Sequence, residues 1–316
     1  MKKLISMKAF FYKTYGPPEV LHIEEFPKPI PGNSELLIKV HASTVSTGIT
    51  WLRKGEYPGN KLFTLLLRLQ FGIFKPKLPI LGCEFSGVVE AIGKDVKQFK
   101  KGDAVYGTTT GLKNGAYADY VCVPEKWKQG VVKLKPEQLS FTEAAALPVG
   151  GMTALQILQK ANLSSKTNLL IYGASGSVGS YAVHIAKYFG ARVTAVCSTA
   201  NIAWVNSIGA DEVIDYTNPG WYRVSKRFDV VFDAVGKLQT VEWKILLKKG
   251  GKFCSTRSLT FEKTAYLAFL EKIILDGSLK PVIDKVFPFE QMVEAHRYVD
   301  LGHKKGNVII NHGAIN

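Results

Sequence analysis

The sequence predicts a two-part α/β protein: a β-rich, barrel-like segment followed by a doubly wound parallel sheet of the kind that holds a dinucleotide. Residues 1 to 127 read as short strands between Gly and Pro turns. From Gln138 helices alternate with strands. Between them in importance stands Asn168 to Ala191, NLLIYGASGSVGSYAVHIAKYFGA, which runs strand, glycine turn and helix in one stretch. A chain of 316 residues has room for about two domains, and its 46% hydrophobic composition is that of a globular protein.

Taken in order, the N-terminus MKKLISMKAFF has two lysines but neither a long apolar core nor a small-residue cleavage site, so no secretory signal is expected. Strand-like sequence begins at Met7 and continues in Glu35–Val40, Gly87–Ile92, Ala104–Gly107 and Ala118–Val123. The longest apolar tract, Leu62 to Phe74, is too short to span a bilayer and carries Arg68. Beyond Gln138 come the helical LSFTEAAALPVGGMTALQIL, the glycine unit, and strands at Glu212–Asp215, Asp229–Val235 and Lys252–Ser255.

In the glycine unit, Leu169 to Tyr172 form an apolar run bounded by Gly173, as expected of a strand buried on both faces. Gly173, Gly176 and Gly179 follow at intervals of three. Such glycines permit a tight turn, let backbone approach a pyrophosphate, and let a helix pack closely on its strand. From Val178 the residues Tyr181, Ala182, Ile185, Ala186 and Phe189 recur at helical spacing, which turns the positive helix end toward the loop. A second strand, Arg192–Cys197, completes a β-helix-β crossover.

An NAD site usually places an acidic residue about 20 residues past the glycines to hold the ribose hydroxyls. None stands between Ser180 and Ala210, and the second strand runs into Ser198, Thr199, Ala200 and Asn201. Hydroxyl and amide groups can donate to a 2′-phosphate that a carboxylate would repel, so NADPH is the expected cofactor. Ser198 and Thr199 can equally cap the helix that begins near Asn201.

The net charge of +15 raises nucleic acid or an anionic membrane as partners. The basic residues are scattered in pairs such as Lys100-Lys101 and Lys248-Lys249. They form no arginine-rich arm, so nucleic acid is not expected. Four dispersed cysteines, Cys83, Cys122, Cys197 and Cys254, read as reduced thiols in an intracellular, cytoplasmic protein, and neither they nor the six histidines show metal-ligand spacing.

The segments MKAFFYKTYGPPEVL, PILGCEFSGVVEAIG, FKKGDAVYG, GAYADYVCVP, AAALPVGGMTAL, YGASGSVGSYAVHIAKYFGA, GADEVIDY, FDVVFDAVG and KGNVII, in this order, resemble the medium-chain dehydrogenases/reductases. The likeness is to the zinc-independent quinone oxidoreductase type related to zeta-crystallin. It implies a GroES-like catalytic domain, residues 1–127 and 281–316, beside a Rossmann domain, residues 128–280, with NADPH in the cleft. Where zinc-dependent relatives carry their ligands, this chain has Ser46-Thr47, Gly82-Cys83-Glu84 and Val149-Gly150-Gly151, so no metal is expected.

The resemblance places Thr153 near the nicotinamide and Gly173, Ser175, Gly176, Ser177, Val178 and Gly179 at the pyrophosphate. Ser198, Thr199, Asn201 and Tyr216 fall around the 2′-phosphate, and Val235 and Gly236 at the next strand end. Tyr216 has an ordinary alternative as a packed strand edge. Ala200 stands where many relatives have Lys or Arg, and Ile49 where the pattern usually has Asp. The substrate would lie against Ser46, Thr47, Trp51 and Tyr57 and the Leu62 to Phe74 segment, a slot suited to a quinone or an α,β-unsaturated ketone; Trp51 and Tyr57 can instead simply pack a loop.

The expected reaction is transfer of the NADPH hydride to the electrophilic carbon of a conjugated carbonyl, with no residue identified as proton donor. The rival from another class is an NADPH-binding protein associated with RNA or a membrane and without turnover. After Lys252–Ser255 relatives usually continue into a further edge strand, whereas here Thr256 to Phe261 leads almost directly to a helix around Tyr266 to Ile274. The expectation is therefore a five-stranded parallel core and a monomer, or a dimer formed through another surface.

Overall fold

The computed structural model describes residues 6–111 and 115–313. The chain opens with β1 (Ser6–Phe11) and β2 (His22–Pro27), an antiparallel pair. Then come β3 (Glu35–Thr44), α1 (Thr47–Lys54), α2 (Lys61–Phe71), β4 (Glu84–Ile92), β5 (Ala104–Thr108), β6 (Tyr120–Pro124), β7 (Val132–Leu134) and α3 (Phe141–Ala146). The α/β portion comprises α4 (Pro148–Gln159), β8 (Asn168–Tyr172), α5 (Ser177–Tyr188), β9 (Arg192–Cys197), α6 (Ile202–Ser207), β10 (Glu212–Asp215), β11 (Phe228–Asp233), α7 (Thr240–Leu246), β12 (Leu247–Ser255) and α8 (Thr264–Leu275). The chain closes with β13 (Ile283–Pro288), α9 (Met292–Asp300) and β14 (Asn307–Asn311).

Two compact units result. One runs to Pro148 and resumes at Ile283; the other is Val149–Val282. The first is built on a seven-stranded sheet of order β13-β14-β3-β4-β5-β7, with β6 also pairing β3. Antiparallel pairing of β14 with β3 carries the C-terminal strand into the N-terminal sheet, which explains why this unit is discontinuous in sequence. The compact division falls at Pro148, beyond residue 127 where the sequence pattern changes, because α3 packs Ala145 and Ala146 against Ala42 of β3 and Ile309 of β14. A capping box fixes the start of α3: Ser140 Oγ accepts from the Glu143 amide and the Glu143 carboxylate from the Ser140 amide.

The second unit holds five strands in the order β10-β9-β8-β11-β12, all parallel. Leu169, Leu170 and Ile171 of the central β8 are wholly buried, as a strand covered on both faces requires. The strand order reverses between β8 and β11, which is where such sheets open a crevice for ligands. The expected five-stranded core is thus the one formed. After β12 the chain turns into α8, which buries Leu267, Leu270 and Ile273, and among the described residues no strand extends the sheet past β12.

In the first unit a buried charge ties α1 to α9. Arg53 is fully buried; its Nε donates to Gly16 O (3.1 Å), Nη1 to His296 Nδ1 (3.1 Å) and Nη2 to Asp300 Oδ2 (2.6 Å). Burial, then the neighbouring Arg53 charge, pushes His296 down to about 3, so it is a neutral acceptor. Burial alone would raise the Asp300 carboxyl, but the hydrogen bonds and charges of Arg53 and Lys54 more than offset this and hold it below its ordinary value.

Arg53→Met should therefore lower the stability of this unit by about 3 kcal/mol in urea unfolding, because it removes the buried donor shared by Gly16 O, His296 Nδ1 and Asp300 and leaves Asp300 only Lys54. The Asp300 contribution is complete above the ordinary carboxylate range and is lost as acid carries the pH down through the depressed native value. The difference between wild type and Arg53→Met should accordingly shrink on acidification.

Candidate dinucleotide and substrate sites

The glycine turn is made by close backbone approach. Gly173 has a φ of +78°, and a Cβ there would lie 2.1 Å from Val235 Cγ2. A Cβ on Gly179 would lie 2.2 Å from Gly173 O, so only glycine lets α5 seat this closely on the turn. The amides of Gly173 (2.9 Å) and Ala174 (3.1 Å) both donate to Val196 O, which presses the turn onto the end of β9. α5 then starts from Gly176, which has no side chain with which to cap it. The first-turn amides of Ser177, Val178 and Gly179 are left at a positive helix end, a ready anion seat. Gly150 of α4 closes in from another side, since its Cβ would meet Ser177 Oγ at 2.2 Å; Thr153 lies one turn further along that helix, partly buried.

The loop after β11 is held by Asp233, a buried carboxylate absent from the sequence-derived set. Its Oδ1 accepts from the amides of Val235 (3.1 Å) and Gly236 (2.8 Å), and its Oδ2 from that of Leu238 (2.8 Å). Arg257 Nε donates to Gly236 O (2.8 Å). Val235 is thereby fixed against Gly173, with Gly236 held beside Arg257.

At the end of β9, Asn201 Nδ2 donates to Ser198 Oγ (3.1 Å). Thr199 is differently engaged: its Oγ1 donates to Asp215 Oδ2 at 2.5 Å and lies 3.0 Å from Thr217 Oγ1. Asp215 ends β10 in register with Cys197, and it also accepts from the Thr217 amide (2.9 Å) and hydroxyl (2.7 Å). The hydroxyls of Thr199 and Thr217 hold its carboxyl below its ordinary value, so it carries a negative charge. An acidic group therefore does reach this strand end, from the third strand rather than the second. Only the pairing of β10 with β9 brings it there. Tyr216, 41% exposed, has its ring 6.0 Å from that of Tyr172, which in turn stacks on Trp221 at 5.4 Å.

In the first unit Ser46 caps α1, its Oγ accepting from the Ile49 amide (3.3 Å) while its own proton can still be donated. Thr47 is the first helical residue. Trp51 and Tyr57 are partly buried with rings 4.7 Å apart, and Tyr57 continues to Phe63 at 5.3 Å. Ile49 is buried in the apolar cluster with Val45 and Leu81, so the position carries packing rather than polar chemistry. Its neighbours supply no ligand set either: among the described residues no three His, Cys, Asp or Glu side chains converge as a metal site. The donor chemistry at Ser46 and Thr47 does not fit zinc. The glycine turn, uncapped helix and hydroxyl-bearing strand end do fit a nicotinamide dinucleotide.

Residues 32–136 match the family description "Alcohol dehydrogenase GroES-like domain", and residues 177–262 and 258–310 match "Zinc-binding dehydrogenase". The chain is 34% identical to a 2-methylene-furan-3-one reductase of Solanum lycopersicum, over 96% of this chain and 79% of that protein. It is 32% identical to an NADPH-dependent alkenal/one oxidoreductase, chloroplastic, of Arabidopsis thaliana, over the same shares of the two chains, 96% and 79%. The solved quinone oxidoreductase of Coxiella burnetii superposes with a TM-score of 0.83 at 28% identity, over 98% of this chain and 100% of that one.

Asp215→Asn keeps the acceptor for the Thr217 amide but removes the charge. An exposed, screened like charge opposes the 2′-phosphate only modestly, so NADPH should bind a few-fold tighter by fluorescence titration while NADH is unchanged. Ser198→Asp should move the ratio the other way.

Proposed function

The chain belongs to the medium-chain dehydrogenase/reductase superfamily, and we propose that it is an NADPH-dependent oxidoreductase delivering hydride to a quinone or an α,β-unsaturated carbonyl without zinc. The observation that carries this reading is the uncapped start of α5 behind the Gly173 to Gly179 turn, at the point where the parallel strand order reverses. When bound, the reduced nicotinamide supplies the hydride for the electrophilic carbon.

The chain's own residues bind and orient. The amides of Ser177 to Gly179 would hold the pyrophosphate, with Gly173, Ser175 and Gly176 shaping the approach to it. Ser198, Asn201 and Tyr216 would face the 2′-phosphate, with Thr199 held back by Asp215. Thr153, Val235 and Gly236 would border the nicotinamide. Ser46, whose Oγ already accepts from the backbone, would turn its O–H toward the substrate carbonyl and steady the charge that develops there. Thr47, Trp51 and Tyr57 would shape the apolar slot, and the proton that completes the product would come from water.

Assembly and location complete the proposal. β12 lies at one edge of the parallel sheet with Lys248, Lys249 and Lys252 exposed along it. Lysines on an edge strand discourage pairing with another chain. A monomer, or a dimer formed elsewhere, is proposed, so light scattering should give a mass near 34.8 kDa. The dispersed cysteines support a reducing compartment, the cytoplasm. No helix among the described residues is long and apolar enough to cross a membrane.

A panel of quinones and enones should deplete the near-ultraviolet absorbance of NADPH, with activity indifferent to chelators and metal far below one atom per chain. Ser46→Gly removes the hydroxyl at little cost to the helix cap. It should lower kcat/KM about 100-fold with the melting temperature nearly unchanged. Salt-sensitive RNA binding without turnover on any of these acceptors would favour the ligand-binding rival.

A further inference from the structure

α2 is built inside out. A helix on a globular unit ordinarily turns its apolar stripe inward and its polar side chains to water. Here Leu62, Leu65, Leu66 and Leu69, at spacings of three and four, all face outward with half or more of their surface exposed, and Phe63 (52%) extends the patch. None of the eleven residues of α2 is fully buried. The inward side carries the polar Thr64 and Arg68 together with the partly buried Leu67 and Phe71. Arg68 Nε donates to Gly55 O (2.9 Å) and its guanidinium lies over the Tyr15 ring, while Thr64 Oγ1 accepts from the Tyr57 amide (3.0 Å). The helix is also fixed at both ends: Asn60 Oδ1 caps the Phe63 amide (3.1 Å), and the Tyr15 hydroxyl donates to Gly72 O (2.7 Å) just past its C-terminus. The apolar face is held outward by these bonds, and Phe74, 93% exposed, prolongs it.

Past Glu56, the charges of the α2 segment have one sign. From Tyr57 to Cys83 there is no Asp or Glu, while Lys61, Lys75 and Lys77 are exposed on either side of the leucines. An exposed apolar stripe flanked by lysines suits a surface that is apolar beneath and anionic on top. A second copy of this chain is the poorer occupant, because it would bring the same lysines and a net charge of +15 against themselves. With eleven residues α2 is about 16 Å long, roughly half a bilayer's hydrocarbon thickness, so it can lie in the interface and cannot cross it.

We infer that α2 is a membrane-surface contact, its leucine face entering the outer part of an anionic phospholipid layer and its flanking lysines meeting the headgroups. The inference stands apart from the catalytic reading, and its test reads binding alone. The full chain should float with vesicles containing about one-third phosphatidylglycerol in phosphatidylcholine, and weakly or not at all with phosphatidylcholine alone. Binding should fall as salt rises. Changing Leu62, Leu65 and Leu69 together to Ser should cost at least about tenfold in vesicle affinity, since each leucine otherwise leaves water on binding. Far-ultraviolet circular dichroism and the melting temperature serve as the fold check for that variant. Should it fail to fold, Lys61→Glu, Lys75→Glu and Lys77→Glu together must abolish the preference for anionic vesicles. The inference is overturned by absence of flotation with anionic vesicles or by flotation that both variants retain. It is equally overturned by a wild-type dimer that the serine variant dissolves without any lipid binding.

Discussion

The second unit depends on one steric constraint: backbone atoms of the Gly173 turn and of α5 approach so closely that no side chain fits between them. The 2.2 Å that would separate a Gly179 Cβ from Gly173 O is far inside van der Waals contact, and its neighbours are main chain that cannot swing aside. This closeness positions the helix end over the sheet's point of reversal, and the bonds from Gly173 and Ala174 to Val196 fasten the same turn to β9. Asp233 then folds the following strand's loop back over Gly173. The ends of β8, β9 and β11 are thus held together largely through main-chain amides and glycines. A site made of backbone is rigid and tolerant of sequence change around it, which suits a cofactor recognised mainly through its phosphates.

The first unit relies on a different device. Its sheet is closed by a strand from the far end of the chain, and its helices α1 and α9 come from segments more than 200 residues apart in sequence. Arg53 joins them with three hydrogen bonds from a side chain that has no access to water. Such a buried charge contributes less to net stability than apolar packing of equal volume would, but it is unforgiving of misplacement, since each of its donors needs its own acceptor. Ser46 begins the helix that Arg53 nearly ends, so one helix carries both the proposed carbonyl donor and the anchor to α9.

The fold was legible where a pattern is local. The glycine spacing, the apolar run of β8 and the short passage from β12 into α8 each predict what forms, because each is decided within about 20 residues. What the sequence hid was decided by register and tertiary pairing. Asp215 lies just outside the Ser180 to Ala210 window in which an acidic ribose partner is sought, yet parallel pairing of β10 with β9 sets it opposite Cys197 and beside Thr199. Asp233 reads as an ordinary strand-end residue until its three amide donors are seen. Arg53 resembles any basic residue near a helix C-terminus, and only α9 reveals why it is buried.

The leucines of α2 mark the limit most clearly. Apolar residues at helical spacing establish an amphipathic helix, and the usual inference turns that face toward the core; the sequence alone made the same tract a wall of the substrate slot. Which face points inward is settled by what the unit offers beneath it. Beneath α2 stand a backbone carbonyl at Gly55, a tyrosine ring and a loop amide at Tyr57, and these suit Arg68 and Thr64 better than leucine. These bonds fix Arg68 and Thr64 inward, beside Leu67 and Phe71, and the four-leucine stripe is left outside. Exposing it carries a hydrophobic cost in water, and that cost is recovered only against an apolar surface, so the orientation is itself an argument that α2 works at an interface.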